Sequence, residues 1–406
     1  MNKRIIFHVD VNNAFLSWSA VLLLKEGYKI DIRKIPSVIG GDEKKRSGIV
    51  LAKSPIAKKY GIITAETLYS ARKKCPNVKV YPPNFNWYYQ ESKKFHDYLK
   101  QYTPNTLKYS VDEAFLDLTG TNYIYDDYIK LAYQIKDGIK EKFGFTVNVG
   151  IANNMLCAKM ASDFQKPDKV HTLFDEEIRT KMWPLPIEDL FMVGKQTSKK
   201  LRELDINTIG DLANKDIDFL SKYFKNQALF LKNSANGIDE SKVEYQESKN
   251  QSISISETLP KDVEDIEELK EILFRQTLEV SRELRDKNKY CNVVAIIFKN
   301  RHFESYSRQI KLDNPTDKTE VIYDTILELL ESSWKKDPIR LIGVRLADLC
   351  NERKTQISIF DEEIEEDDED SIFQKKIDEI NHKFGGNSII PASMANKVSK
   401  KRNFKK

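Results

Sequence analysis

Cysteine and histidine are scarce in this 406-residue chain and widely scattered: Cys75, Cys157, Cys291 and Cys350, and His8, His96, His171, His302 and His382. They show no metal-ligand spacing, and four isolated cysteines make no disulfide framework, so zinc and disulfide scaffolds are excluded. Long apolar runs are also missing, since nothing approaches the roughly 18 to 20 residues that span a bilayer. Met1 to Asp10 reads as a charged start and a short strand, without the apolar stretch and cleavage site of a secretory signal. The expectation is a cytoplasmic protein with no membrane partner.

The chain also lacks a decisive excess of charge. With 66 basic and 62 acidic residues its formal net charge is +4, too little to argue for a polyanionic partner. The distribution says more. Asp361 to Asp370 carries nine acids and no base, whereas Ser371 to Lys406 carries nine bases and two acids. Setting those two opposed segments aside leaves +6 on residues 1 to 360. At about 150 residues per domain the length implies two to four domains. A hydrophobic content of 40% is enough for more than one core.

Alternating apolar residues and turn signals predict a strand at Ile5 to Val9, a helix over about Asn86 to Thr103 and a hairpin joining Leu107–Val111 to Ala114–Leu118. A helix over about Asp126 to Phe143 and a strand at Phe145 to Ile151 follow. That order is βαββαβ, the ferredoxin-like arrangement of an antiparallel sheet with two helices on one face. Residues 11 to 77 form an insertion within it. The same order returns in Ser252–Thr258, Val263–Asp286, Cys291–Phe298, Ser305–Leu312, Lys318–Trp334 and Ile339–Leu346, which predicts a second module of the same topology. Residues 168 to 237 between the modules read as short helices, residues 238 to 251 as a linker, and residues beyond 350 as a polar tail with one helix near Ile372 to Phe384.

Asp10 ends the first strand, and Asp112 with Glu113 sits in the turn of the hairpin YSVDEAFLDL. In a βαββαβ sheet these strands are neighbours, so three carboxylates meet at one edge and need a counter-charge. A hard divalent cation suits such oxygens, and a pair of Mg²⁺ ions serves phosphoryl chemistry. Taken alone, a DE pair is an ordinary turn feature; Asp10 in this topology changes its meaning.

HVDVNNAF (His8 to Phe15), YSVDEAFLDLTG (Tyr109 to Gly120) and ASDFQKP (Ala161 to Pro167) resemble the signature blocks of the Y-family, translesion DNA polymerases. The resemblance covers residues 1 to about 360. It implies an α+β multidomain fold: a palm at 1–10 and 78–167, fingers at 11–77, a small helical thumb at 168–237 and a little finger at 252–350. It further implies that Asp10 and Asp112 bridge two Mg²⁺ ions, that Glu113 and the Val11 carbonyl complete the ligands, and that Phe15 is the steric gate against a ribose 2′-hydroxyl. Asn12 stands where many members have a second aspartate that is not a ligand.

Ser54 to Gly61 has a serine cap, proline in the first turn and a closing glycine, the marks of a compact helix. Lys58 on it and Lys166 are the expected triphosphate contacts. The family commonly has tyrosine and arginine at Pro55 and Lys58, and a lysine offers a point charge where arginine offers a fork. Phe191 to Thr197 with Leu204 to Leu212 resembles a helix-hairpin-helix, with Gly194 and Lys195 at a DNA phosphate. Lys299, Arg301, Arg308 and Lys311 give the second module a basic sheet, assigned to DNA binding. Gln356-Ile357-Ser358-Ile359-Phe360 resembles a bacterial clamp-binding peptide, with Gln356, Ile359 and Phe360 as anchors.

The expectation is a monomeric, low-fidelity polymerase on primer-template DNA and deoxynucleoside triphosphates, retained by the sliding clamp and without a proofreading exonuclease. Two alternatives remain open. One is a noncatalytic DNA- and clamp-binding paralogue, suggested by Pro55 and Lys58. The other is a nucleotidyl cyclase, because Gly40-Gly41-Asp42-Glu43 spells most of that signature; here Lys44 replaces the usual phenylalanine and the segment suits a hairpin turn.

Overall fold

The computed structural model describes residues 3–43, 46, 48–244, 252–351, 376–380, 383 and 389. The chain forms two compact units, residues 1–43 with 47–246, and residues 247–406 with 44–46. Among the described residues no helix is long and apolar enough to cross a membrane.

The first unit begins with β1 (Ile6–Val11) and α1 (Ala14–Lys25), then runs through β2 (Ser37–Gly40), β3 (Val50–Lys53), α2 (Pro55–Lys59), α3 (Leu68–Lys74) and β4 (Lys79–Tyr81). It continues with α4 (Phe85–Leu99), β5 (Thr106–Lys108), β6 (Glu113–Asp117), α5 (Tyr128–Phe143), β7 (Val147–Ala152), α6 (Met155–Asp163) and β8 (Val170–Leu173), and ends in α7 (Lys195–Arg202), α8 (Ile209–Asn214), α9 (Ile217–Phe224) and α10 (Ala228–Ala235). The main sheet has the order β5-β6-β1-β7-β8, antiparallel except for the last pair. β2, β3 and β4 form a small sheet of their own. Because β4 pairs with β2, the insertion's sheet reaches Tyr81 and passes the expected boundary at residue 77.

Every residue of β1 is buried, which a strand shows only when both faces of its sheet are covered. Phe7, Val9 and Val11 point into one core with Trp18, Phe95, Leu131 and Ile135, under α4 and α5. Ile6 and Phe115 point the other way, into a core shared with α6 and the helices from α7 to α10. The short helices therefore pack through α6 onto the sheet within the same compact unit. The sequence did not announce two of these elements. α6 is almost wholly buried, so it shows no polar stripe. β8, expected among short helices, is the fifth strand.

Gly150 on β7 shows how tightly α6 sits: a Cβ there would lie 2.0 Å from the Ala158 carbonyl oxygen. Only glycine lets the helix backbone come that close.

The second unit consists of β9 (Ile253–Val263), α11 (Ile266–Asp286), β10 (Tyr290–Asn300), β11 (Ser305–Thr316), α12 (Thr319–Ser333) and β12 (Ile339–Cys350). The element order is the predicted βαββαβ, but the sheet order is β11-β10-β12-β9, all antiparallel. The topologies therefore differ. In the first sheet the opening strand is central, between the third and fourth strands of its module; in the second it lies on the edge, paired only with the last. α11 and α12 cover one face through Leu269, Leu273, Ile322 and Ile326 against Val294, Ile296, Phe298 and Val344. Lys376–Ile380 is helical, and its Asp378 accepts a 2.6 Å hydrogen bond from Arg285 Nε on α11.

Candidate active site

Sheet register brings the carboxylates together. Asp10 on β1 stands directly opposite Glu113 on β6 and, on its other side, opposite Asn148 on β7. Like charges in directly opposed positions repel. Asp112 lies in the turn just before β6, tied to the end of β1 because the Val11 N–H donates to the Asp112 carbonyl at 3.0 Å. The Ser110 hydroxyl donates to its carboxylate at 2.7 Å. Burial raises the Asp112 pKa, the Ser110 bond lowers it and the Asp10 charge raises it further, with a net upward shift. Burial, Asp10 and Asp112 raise Glu113 against the opposing pull of Lys159.

Two lysines supply the counter-charge, one of them absent from the expectations. Lys159, on the face of α6 turned to the sheet, hydrogen-bonds Glu113 Oε1 and lies 3.6 Å from both Asp10 Oδ2 and Asp163 Oδ2. Lys166, in the loop after α6, is 2.7 Å from Asp10 Oδ2 and 2.7 Å from Asp163 Oδ1. Burial disfavours both ammonium charges, yet their acidic partners outweigh it and raise both pKa values.

The loop is stapled to the sheet by Asn148, which is fully buried. Its amide donates to the carbonyls of Ser162 at 3.0 Å and Gln165 at 2.7 Å and accepts from the Lys169 N–H at 3.3 Å. His8, two residues before Asp10 and also fully buried, bonds Ser162 Oγ at 2.8 Å. Ser162 donates its own proton to the Lys159 carbonyl at 2.8 Å, so His8 Nδ1 carries the hydrogen. Burial, then Lys159 and Lys166, lower the His8 pKa well below its usual value and keep the ring neutral. The sequence signal was available: polar residues at alternate positions of a buried strand need partners on the covered face.

The donor set is entirely hard oxygen, as magnesium prefers. Among the described residues, however, no three acidic, histidine or cysteine side chains close on one point as they stand. The lysines take the oxygens instead. The set fits a divalent cation once a lysine is displaced.

Phe15, on the first turn of α1, stacks on Tyr88 with centroids 4.7 Å apart and planes 9° apart, and meets Phe85 edge-on at 6.2 Å. The Tyr88 hydroxyl lies 2.6 Å from the Ser19 hydroxyl, so the backing ring is fixed. In the insertion, Ser54 caps α2 through the Ala57 N–H at 3.0 Å and Pro55 occupies its first position. Lys58 is exposed. Lys53 on β3, not among the expected residues, has its pKa lowered by burial and by the Lys58 charge, so two cations stand close together. Gly40 ends β2 and Val50 begins β3, so Gly40 to Glu43 opens a longer connection and not the tight hairpin turn expected.

Gly194 precedes α7 without a side-chain cap, and nothing lies within 4 Å of where its Cβ would be. The helix therefore begins without a side-chain cap, at the exposed Lys195. In the second unit the register divides the basic residues. Lys299 and Lys311 lie on the face away from the helices, with Arg345, Ser254, Ser256 and Gln309. Arg308 pairs with the core residue Ile296 and so belongs to the helix side, contrary to the expected common basic face. Arg301 is in the turn and binds Glu264 at 2.9 Å. Arg345 was missed because β12, which also carries Arg340, is largely apolar, and only its register shows which face Arg345 takes. Gln356, Ile359 and Phe360 lie outside the described residues.

Residues 9–163 match the impB/mucB/samB family, and residues 250–359 match that family's C-terminal domain. The DNA polymerase IV of Clostridium acetobutylicum is 47% identical over 98% of this chain and 100% of its own length. That of Clostridium kluyveri is 36% identical over 97% and 99%. Among solved structures, a Y-family DNA polymerase chimera superposes with a TM-score of 0.71 at 24% identity, over 87% of this chain and all of the other.

Proposed function

The chain belongs to the impB/mucB/samB family of Y-family polymerases, and from that premise we propose that it copies damaged DNA at the carboxylate edge of β1 and β6. It is a DNA-directed DNA polymerase, as its curated relatives are named. The observation that carries the site assignment is the opposition of Asp10 to Glu113, with Asp112 tied alongside by the Val11 N–H.

In this reading Asp10, Asp112, Glu113 and the Val11 carbonyl would hold two Mg²⁺ ions, which would supply charge neutralisation for the triphosphate and favour ionisation of the primer 3′-hydroxyl. The protein's own groups do the rest. Lys166 and Lys58, the latter with Lys53 beside it, meet the phosphates. Their point charges replace the tyrosine and arginine common in the family, so the grip is electrostatic and without a fixed fork. Phe15, held against Tyr88, fills the space a 2′-hydroxyl would need. Gly194 and Lys195 offer N–H groups and charge to a DNA phosphate. Lys299 and Lys311 meet the backbone from the second unit, with Arg301 and Arg308 outside that face.

The same proposal includes palm, fingers, thumb and little-finger roles for the segments named above, synthesis without proofreading, a cytoplasmic monomer, and retention by a bacterial sliding clamp through Gln356, Ile359 and Phe360. Primer extension in Mg²⁺ tests it against the noncatalytic alternative. Wild type is expected to extend and Asp112→Ala not to; failure of wild type to incorporate favours the binding protein. Cyclic product from nucleotide alone would favour the cyclase.

A further inference from the structure

We propose that Lys159 is a resident cation of the carboxylate cluster, which holds the oxygens of Glu113 and Asp10 in the nucleotide-free protein and surrenders them to the divalent ion by turning to Asp163. The inference rests on the metal-dependent reading above and goes beyond it by assigning a residue that controls when the site loads.

Three features carry it. First, the Lys159 ammonium bonds Glu113 and lies 3.6 Å from Asp10, so it uses oxygens that the ion would need. An ammonium and a divalent cation cannot share those positions. Second, the side chain is only 10% exposed, whereas Asp163 is 49% exposed. Buried carboxylates repel strongly unless a cation stays among them, so the ammonium keeps the edge assembled without metal. Third, Asp163 is already 3.6 Å from Lys159, one helical turn further along α6. The transfer therefore needs a change of side-chain rotamer and no movement of the backbone, which Asn148 and the Ser162 bonds keep in place.

Competition of this kind lowers the affinity of the nucleotide-free protein for a divalent ion. An incoming triphosphate restores it by adding oxygens of its own. Loading is thereby linked to substrate, and the empty site stays folded.

The test is uptake of Mn²⁺, followed by the paramagnetic resonance of the free ion, on the full chain without nucleotide. Lys159→Met is expected to bind Mn²⁺ about tenfold more tightly than wild type, because a unit charge a few ångströms away is worth at least a decade. Its melting temperature should rise with added Mg²⁺ far more than that of wild type. Lys159→Arg, which keeps the charge, should stay close to wild type. Asp163→Asn removes the receiving group at a half-exposed position that does not threaten folding. It is expected to weaken Mn²⁺ binding about threefold, a fraction of the same charge term.

Unchanged or weaker Mn²⁺ binding by Lys159→Met, or an Asp163→Asn protein identical to wild type, overturns the inference. A wild-type complex with primer-template and an unreactive deoxynucleotide that takes up no Mn²⁺ overturns the metal reading itself.

Discussion

The two sheets share one element order and opposite fates. In the first, the opening strand is flanked by the third and fourth strands of its module, which sets Asp10 against Glu113 and beside Asn148. In the second, the opening strand is an edge, and the hairpin strand β11 is the opposite edge. Glu264, just past the end of β9, meets the turn between β10 and β11 through Arg301 at 2.9 Å, so that end of the second sheet carries an exposed ion pair. The second difference is cover. α6 buries the back of the first sheet, so its polar groups lie in a medium where charges interact strongly. The corresponding face of the second sheet keeps serines, glutamine, lysine and arginine. The same order of strands and helices thus yields a carboxylate-lined edge in one unit and an open polar face in the other.

The comparison breaks most sharply at Asp112. Asp112→Ala is expected to slow primer extension at least about a thousandfold, the equivalent of roughly 4 kcal/mol of lost charge stabilisation, with DNA binding retained. Single-turnover incorporation and a fluorescence binding isotherm measure the two quantities. Parallel loss of both would mean that the first unit also supplies the main grip.

Next in size is Phe15→Ala. Discrimination against ribonucleotides should fall by about a hundredfold, the scale on which a shaped pocket separates substrates differing by one small group. The ratio of kcat/KM for paired deoxy- and ribonucleotides reads it directly. An unchanged ratio would remove Phe15 from the site and leave it as a core aromatic stacked on Tyr88.

A third experiment sharpens the other half of the comparison. Lys311→Ala with Arg345→Ala removes two charges from the open face, and should reduce the slope of log affinity against log salt by about 2 with little effect on the rate of the bound complex. Arg308→Ala, on the helix side, should change that slope by less. Equal slopes for the two proteins would show that the face makes no difference.

These residues also mark what the sequence alone revealed. The carboxylates were legible because motif and alternation placed them on adjacent strands, and the βαββαβ order was legible in both modules. Sheet order was not, since a crossover helix can return a strand to either of two neighbours with the same local pattern. Lys159 and Asn148 were hidden for a related reason: their partners are fixed by α6 and the loop after it, and a helix buried on most sides has no amphipathic stripe to announce it. Arg345 emerged only with the register of β12 on β10.

The smallest expected effect concerns acidity. His96 on α4 is buried, with Nε2 3.1 Å from the Ser110 carbonyl, which joins that helix to the turn carrying Asp112. Burial and the charges of Lys108 and Lys100 lower its pKa to about 4, against the favourable bond to Ser110. An unfolded chain has its histidine near pH 6.5. Between those values the unfolded state takes up a proton that the native state refuses, so the contribution is complete above about 6.5 and is lost as pH falls toward 4. His8 acts in the same direction. Asp112 and Glu113, whose pKa values are raised, act in the opposite direction nearer the carboxylate range, which leaves the upper part of the window as the clean one. The histidine of the second unit among the described residues, His302, is exposed. Amide hydrogen exchange, corrected for its intrinsic pH dependence, should therefore show α4, β5 and β6 losing protection between pH 7 and 5.5 while β10 and β12 hold theirs. His96→Asn should flatten that loss in the first unit. Equal losses in both units would sever the acid response from the buried histidines of the first sheet.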